Sequence, residues 1–481
     1  MNPPPLRRFR APQANGELLV DPPLDRVPEW IERNRVKLDT NTVFLGETPL
    51  DQFRAEARGE LREELGLPDS GGPLLLTGHQ PELCHPGVWL KTFALAGLAE
   101  RIQGTAVNLV VDTDELKTHS LHVPHVDPDP HHVRLESVPF DTGPVDVPYA
   151  YRFVEDHELF RSLPERLASR VSAWPFEPML AAAWTKITDG TGTIGERFVA
   201  ARSHYEVTWG CHVPTLPISR LCKMQSFRRF AGSILADLPR FAEAYNGAIR
   251  EYRRHAKLRS RTHPVPELAP GEAPFWTITG TQRRPATAQS DPASLVPRAL
   301  TLTLFARLAL GDWFIHGIGG GKYDEVTDSI IRDYYEIEPP MFQVATGTFR
   351  LPFPAFPHSS RDVTQLRHRL RDLQWNPQRS LDASRAPESI ARRTELQSIH
   401  PDTKALRKER AREIRTLNES LRPLVSEVRE QLEIGLQIAE SESAANRVLQ
   451  SREFPWLLFP EETLAPFLKS VQDAARSGES S

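Results

Sequence analysis

Two imidazoles, an amide and a thiol lie close together near position 80. They are His79, Gln80, Cys84 and His85 of the stretch TGHQPELCHPG, which begins at Thr77. An imidazole can stabilise developing phosphate charge or carry a proton in catalysis. Thr77, Gly78 and Gln80 precede an apolar segment long enough for a helix, whose free N–H groups attract anions. The stretch therefore predicts a nucleotide-binding loop in which His79 and His85 are catalytic.

A second group of reactive side chains follows in the stretch VVDTDEL. It supplies three carboxylates, Asp112, Asp114 and Glu115. Carboxylate oxygens bind Mg²⁺ and can position an amine. We expect these residues to act in catalysis on the same rim of the sheet as the nucleotide loop, because both segments follow the carboxyl ends of strands.

A third group combines backbone freedom with a positive charge. Gly319, Gly320 and Gly321 precede Lys322 in GIGGGKYDE. Consecutive glycines let the backbone approach a ligand closely, and the lysine can meet a phosphate or carboxylate. We therefore expect the three glycines to bind the nucleotide and Lys322 to act in catalysis. A tight turn that needs glycine only for its dihedral angles is the structural alternative, and the spacing matches neither a P-loop nor a dinucleotide fingerprint.

These groups must be positioned by strands and helices. Buried-strand runs are predicted at 74–76, 107–111 and 313–318, and helices follow the loops at 77–87 and 319–322. Strands that alternate with helices form a parallel sheet, whose ligands bind beyond the carboxyl ends of the strands. The sequence thus predicts an α/β fold with a Rossmann-like parallel sheet core, a mostly helical connecting region and a C-terminal coiled coil.

The domain organisation follows from shifts in composition and periodicity. The predicted segments are an N-terminal helical cover (1–73), a first half of the core (74–140), a connecting region (141–295), a second half of the core (296–355), a coiled coil (356–449) and a docking tail (450–481). The coiled coil rests on apolar residues at alternating spacings of three and four in two helices, 360–374 and 402–440. Pro423 should bend the longer one. The pattern leaves open whether the seam lies within one chain or between two subunits.

A predicted hairpin between the first two core segments is rich in histidine. His122, His125 and His132 flank the turn DPDP. Their residue type suits a transition metal, but no carboxylate pattern accompanies them, and a solvated hairpin face is the commoner arrangement. No metal site is assigned, and a metal-dependent hydrolase remains a third reading.

The numbers of charged residues and of cysteines limit the expected partners and the expected location of the protein. The 59 basic and 63 acidic residues give a net charge of −4, which argues against nucleic acid or an anionic membrane as partner. Three widely spaced cysteines fit neither a disulfide framework nor a thiolate zinc site, so a cytoplasmic location is expected.

In these stretches the chain resembles the cysteine-adding enzyme family of bacillithiol synthesis (BshC). The loop TGHQPELCHPG is similar to that family's TGQQ-type loop, VVDTDEL to its acidic GEDHDF-type segment and GIGGGKYDE to its GGPGE-type loop. A late coiled coil and a tail rich in Phe, Pro and Leu complete the order. The resemblance implies a Rossmann-like nucleotide-binding core, pairing of subunits through the coiled coil and a ligase that joins cysteine to glucosaminyl malate.

The expected function is therefore a cytoplasmic small-molecule ligase, either cysteine-adding or adenylate-forming. ATP or ADP and Mg²⁺ are the expected cofactors. A thiol or amino acid and an amino-sugar conjugate are the expected substrates, and a homodimer through the coiled coil is the expected assembly. The alternative is a non-catalytic nucleotide-binding or scaffold protein with the same core.

Overall fold

The computed structural model describes residues 9–68, 71–260, 262–263, 265–382 and 384–479. Contacts divide the chain into two compact units. The first comprises the chain up to Val123, Ser137–Leu351 and the part from Arg452 onward; the second comprises Pro124–Glu136 and Pro352–Ser451.

Strands and helices alternate through much of the first unit. The strands are β1 (Leu18–Asp21), β2 (Phe44–Leu45), β3 (Thr48–Pro49), β4 (Leu74–His79), β5 (Thr105–Val110), β6 (Ser120–His125), β7 (Arg134–Pro139), β8 (Thr215–Pro217), β9 (Glu272–Thr279), β10 (Gln282–Thr287), β11 (Leu295–Pro297), β12 (Trp313–His316) and β13 (Gln343–Gly347). The helices are α1 (Val27–Leu38), α2 (Leu50–Leu65), α3 (Pro86–Ile102), α4 (His157–Arg161), α5 (Leu163–Val171), α6 (Leu180–Asp189), α7 (Ile194–Thr208), α8 (Ile218–Leu221), α9 (Gln225–Ala236), α10 (Leu238–His255), α11 (Ala299–Phe305), α12 (Ile318–Tyr335), α13 (Ser360–Trp375), α14 (Pro387–Ser398), α15 (Lys404–Leu421), α16 (Ser426–Leu449) and α17 (Glu461–Ser477).

A six-stranded sheet forms the centre of the first unit. Its order is β1-β13-β12-β4-β5-β8, with β1 antiparallel at one edge and the other five strands parallel. In chain order the parallel strands are β4, β5, β8, β12 and β13. Strands β5 and β8 lie on one side of β4, and the later strands β12 and β13 lie on the other side. This is a doubly wound strand order. The predicted α/β fold is confirmed as a mostly parallel sheet with helices around it.

Helices α3 and α12 cover opposite faces of this sheet. The side chain of Val344 in β13 faces α12, since a Cβ on Gly321 would come within 2.5 Å of its Cγ2. Leu90 of α3 lies instead beside Gly347, an odd number of residues further along the same strand. Successive strand residues point to opposite faces. The order therefore reverses between β4 and β12, and the helices that follow these two strands lie on opposite sides.

The glycine-rich corner is helical, so the prediction of a loop at 319–322 was wrong. Strand β12 ends at His316, Gly317 is the N-cap and α12 begins at Ile318. A Cβ on Gly320 would lie 2.7 Å from Nδ1 of His316, and Gly321 packs on Val344. Glycine is therefore present because the helix lies against the strand, where backbone freedom alone had suggested a turn.

The connecting region contains strands as well as helices. A three-stranded sheet, β10-β9-β11, lies in its last part, and β8 adds the outermost parallel strand of the central sheet. Strand β8 has three residues and ends at Pro217, too few for an alternating pattern to be recognised.

In the second unit, helices of the same chain pack against one another. The predicted helix over 402–440 is interrupted at Arg422–Val425, where Pro423 lacks the N–H that a continuous helix needs. Helix α13 packs along α16, and Leu373, Val425 and Leu432 form its buried centre. This seam is intramolecular, and a coiled coil is not observed. The histidine-containing strands β6 and β7 form a two-stranded sheet, as expected.

The tail docks on the first unit. Residues 456–459 are fully buried, and α17 packs along α3. No helix in the described ranges has the length and apolarity needed to cross a bilayer.

Candidate functional site

The first and third predicted groups meet where the strand order reverses. Thr77 pairs in register with Ile315, and its hydroxyl donates to the Ile315 carbonyl at 2.8 Å. The end of β4 with Gln80 (Gly78 to Gln80) and the first turn of α12 therefore lie side by side. We call this place the switch-point crevice. Ligands of doubly wound sheets bind at the corresponding position.

A lysine that the sequence analysis missed lies beneath the crevice. Lys91 of α3 is 4 % exposed, and its Nζ donates to the carbonyl of Gly78 at 2.9 Å. No carboxylate in the described ranges forms an ion pair with it. Desolvation, together with the positive charge of Arg202, lowers the pKa of Lys91 to about 8. The ammonium is therefore a mostly protonated, buried charge without a counter-charge at neutral pH.

The predicted histidines of the loop are neutral. Nδ1 of His79 lies 3.1 Å from the Gln80 carbonyl, and Nε2 of His85 lies 3.5 Å from Glu453. Desolvation and the charge of Lys91 lower the pKa of His79 to about 3, and desolvation with the charges of Arg452 and Lys91 does the same for His85. Because the Gln80 carbonyl can only accept, Nδ1 of neutral His79 is the donor and its Nε2 carries a lone pair. His85 can still offer its single N–H to a ligand, and neither ring carries a positive charge at neutral pH.

The thiol and the lysine of the predicted site differ in their surroundings. Cys84 is 4 % exposed, and desolvation raises its pKa to about 11, so it is a poor nucleophile at neutral pH. Lys322, in the first turns of α12, is half-buried and forms no ion pair with any described residue.

The acidic segment already has protein partners. Asp112 accepts from the backbone N–H of Ser219 at 2.9 Å and from its hydroxyl. Asp114 accepts from Nε2 of Gln80 at 2.9 Å and lies 3.0 Å from Nη1 of Arg283. Glu115 lies 2.6 Å from the same guanidinium. An amine or Mg²⁺ at Asp114 or Glu115 would have to displace Arg283.

Arg283 comes from β10, in the region expected to be mostly helical. Its guanidinium lies 5.3 Å from the ring centroid of Trp276 on β9. The β9-β10 hairpin thus holds Arg283 against the acidic segment. Sequence reasoning missed this arginine because the strand that carries it was not recognised.

A buried ionic cluster supports the other side of the crevice. His316, at the end of β12, is 5 % exposed, and its Nε2 lies 2.6 Å from Oδ2 of Asp324. Asp324 is fully buried and also lies 3.0 Å from Nη1 of Arg307. Although desolvation opposes ionisation, the positive Arg307 and the contact with His316 hold the pKa of Asp324 well below its usual range. The sequence signal for this cluster was a histidine at the end of a buried strand.

The hairpin histidines do not form a metal site. His125 lies 3.9 Å from Glu136, His132 lies 3.7 Å from Asp127, and His122 is exposed. Within the ranges that the structure describes, no three side chains of His, Cys, Asp or Glu are grouped as metal ligands.

Comparison of the sequence with protein-family models and with curated proteins finds no match.

Proposed function

We propose that the switch-point crevice binds the phosphates of ATP or ADP and that the protein is a small-molecule ligase. The observation that carries the proposal is the buried ammonium of Lys91, which has no counter-charge among the described residues. Burying an unpaired charge costs several kcal/mol unless an anion balances it. A phosphate in the crevice would supply that anion.

The surroundings of Lys91 support a phosphate over a simple carboxylate. Helix α12, of 18 residues, begins directly after β12, and α3, of 17 residues, begins beside the end of β13, where the Thr346 hydroxyl donates to the Gly87 carbonyl. Their N-termini carry free N–H groups and partial positive charge. The neutral ring of His85 adds a hydrogen-bond donor, and neither His79 nor His85 repels a second cation such as Mg²⁺.

The ligase assignment rests on the resemblance to the cysteine-adding family. In that assignment, ATP activates a carboxylate and an amine then attacks the activated carbon. The three free thiols fit the reducing cytoplasm in which such an enzyme would work. One observation favours the alternative of a nucleotide-binding scaffold, because Arg283 and Ser219 already occupy the acidic segment. Formation of product decides between the two.

Calorimetric titration with ATP, ADP and AMP, each with and without Mg²⁺, tests the proposal. The informative variants are Lys91→Met, which keeps the aliphatic stem, and the double variant His79→Ala, Lys322→Ala. Lys469→Met, at an exposed position of α17, is the matched control.

We expect micromolar binding of ADP to the wild type and the control, and a loss of at least tenfold in affinity for Lys91→Met. Equal affinity in Lys91→Met would place the nucleotide elsewhere. No binding of any nucleotide to the wild type would reject the proposal. Turnover of ATP with cysteine and an amino sugar would then separate a ligase from a scaffold.

A further inference from the structure

The imidazole of His316 is held in one orientation by its neighbours. It stacks on Phe314 at 4.2 Å between ring centroids with an interplanar angle of 24°, and it meets Phe342 edge-on at 5.4 Å. A ring fixed on two sides by aromatic groups cannot rotate freely about χ1 and χ2. Its two nitrogens therefore face constant surroundings.

The two nitrogens have different neighbours. Nε2 lies 2.6 Å from Oδ2 of Asp324, too close for a lone pair to face a carboxylate oxygen, so Nε2 carries the proton although the contact is not aligned as a hydrogen bond. The opposite nitrogen, Nδ1, has no hydrogen-bond partner among the described residues. The neutral ring is therefore an Nε2–H tautomer with its Nδ1 lone pair free.

Gly320 lets α12 lie close to Nδ1. It lies in the first turn of α12, where a Cβ would come 2.7 Å from Nδ1 and 3.3 Å from Cγ of His316. Glycine is the one residue that lets the helix approach the ring without pressing a methyl group against this nitrogen. Nδ1 thus lies below the helix N-terminus that borders the switch-point crevice.

Desolvation by burial lowers the pKa of His316 and so favours the neutral ring, while the charges around it act in both directions. Asp324 faces it from α12, Arg307 lies behind Asp324, and Lys91 acts on it from α3 on the other side of the sheet. Arg307 and Lys91 oppose protonation, whereas Asp324 stabilises an imidazolium once it forms. This is the pattern of a histidine base oriented by a carboxylate.

We propose that His316 is the general base that deprotonates the attacking amine, with Asp324 as its positioning residue. The inference rests on the proposed ligase function. The co-reactant is an acyl phosphate or acyl adenylate made from the nucleotide. As the amine nitrogen forms its bond to the acyl carbon, the carbon–oxygen bond to phosphate breaks and phosphate or AMP leaves with the electron pair. The proton lost from the amine passes to Nδ1 of His316 and then to solvent.

Other candidates for the base are less suitable. His79 and His85 lack a carboxylate in close contact, since their nearest acidic oxygens lie 3.7 and 3.5 Å away. The Cys84 thiol is buried, and Asp114 is committed to Gln80 and Arg283. His316 is the described imidazole at the crevice that has an orienting carboxylate on one nitrogen and a free lone pair on the other.

The test compares two acceptors in His316→Gln, Asp324→Asn and Gly320→Ala, with His204→Gln, at an exposed position of α7, as control. ATP and cysteine are supplied with either glucosamine, whose ammonium must lose a proton, or hydroxylamine, which is a largely uncharged nucleophile. For His316→Gln we expect amide formation with glucosamine to fall about 100-fold and hydroxamate formation to stay within about twofold of wild type. Asp324→Asn should weaken amide formation about tenfold and shift its pH profile, and Gly320→Ala should act in the same direction.

Each result has one meaning. Equal rates of amide formation in wild type and His316→Gln, or equal losses of amide and hydroxamate, would overturn the assignment of a base. Absence of hydroxamate in the wild type would overturn the ligase proposal instead. Nitrogen-15 NMR of the free protein reads the tautomer independently of turnover. A protonated Nδ1 in the neutral ring would overturn the assignment even if the variants fail to fold.

Discussion

At the scale of single residues, burial leaves the charge of the Lys91 ammonium without a counter-charge among the described residues. Lys91 carries an ammonium whose pKa falls from 10.5 to about 8, mainly through desolvation. Between these two values the unfolded chain holds more protons than the folded protein, so the free energy of unfolding rises with pH. The cost of the buried charge is fully present below pH 8 and is relieved toward pH 10.5.

We therefore predict that Lys91→Met stabilises the free protein while it abolishes nucleotide binding. At 1.36 kcal/mol for each pKa unit, the gain at pH 7 is about 3 kcal/mol, and it shrinks as the pH approaches 10. Urea unfolding of both proteins at pH 7 and pH 10 measures the difference. A variant less stable than wild type at pH 7 would show that the ammonium is already paired.

The two loop histidines predict the acid sensitivity of the fold. Their pKa values fall to about 3, so the unfolded chain takes up protons below pH 6.5 while the folded protein does not. Stability should be lost as the pH falls from 6.5 toward 3, by about 2 kcal/mol for each histidine at pH 5. In the double variant His79→Gln, His85→Gln this part of the pH dependence should disappear. Chemical denaturation at pH 7 and pH 5 tests it, and an unchanged slope would contradict the burial of these rings.

Sequence reasoning identified the loop residues but not Lys91 or His316. Lys91 lies in an apolar helix, where a lysine usually extends its charge to solvent. It is buried because its side chain faces the central sheet, where Nζ donates to the carbonyl of Gly78 in β4. His316 ends a buried strand, and its partner Asp324 lies two turns into a helix whose start had been placed too late. Such pairings depend on tertiary contacts that local patterns do not contain.

At the scale of elements, the glycines of α12 differ in how closely they are packed against neighbouring side chains. A Cβ on Gly321 would lie 2.5 Å from Cγ2 of Val344, whereas a Cβ on Gly319 meets nothing within 4 Å. Alanine is favoured over glycine inside a helix by up to about 1 kcal/mol, but overpacking costs about 1–3 kcal/mol.

We predict that Gly321→Ala destabilises the protein and that its matched control, Gly319→Ala, leaves stability equal or higher. Thermal unfolding of the two variants beside the wild type measures both effects. Equal destabilisation would mean that the first turn of α12 does not lie against β13.

The strand, loop and helix order was predictable because buried strands and amphipathic helices have distinct periods. What the pattern could not show was where a glycine-rich segment changes from loop to helix. In the second unit, the three-and-four spacing predicted helices correctly, and Pro423 marked the break between α15 and α16. The same spacing could not reveal that α13 is the partner of α16, since any complementary apolar surface satisfies it.

At the scale of the whole molecule, the homodimer is still a prediction. Helix α16 carries exposed apolar side chains besides those that pack on α13. Ile434 and Ile438 lie one turn apart and are 51 % and 45 % exposed. We expect a homodimer through this surface, because neighbouring isoleucines gain from leaving water. Ile434→Lys with Ile438→Lys should yield monomers in sedimentation velocity, and Leu406→Lys, at an exposed position of α15, should not. A monomeric wild type would contradict the expectation.

The proton balance of ADP binding tests the central claim most directly. Calorimetry at pH 8.5 in buffers of different ionisation enthalpy counts the protons that the protein takes up with the nucleotide. If phosphate binds beside the Lys91 ammonium, it raises the pKa of Lys91 from about 8, and about 0.8 proton should enter for each ADP bound. ADP that binds with no uptake of protons would show that its phosphates lie away from Lys91, and the proposed site would be wrong.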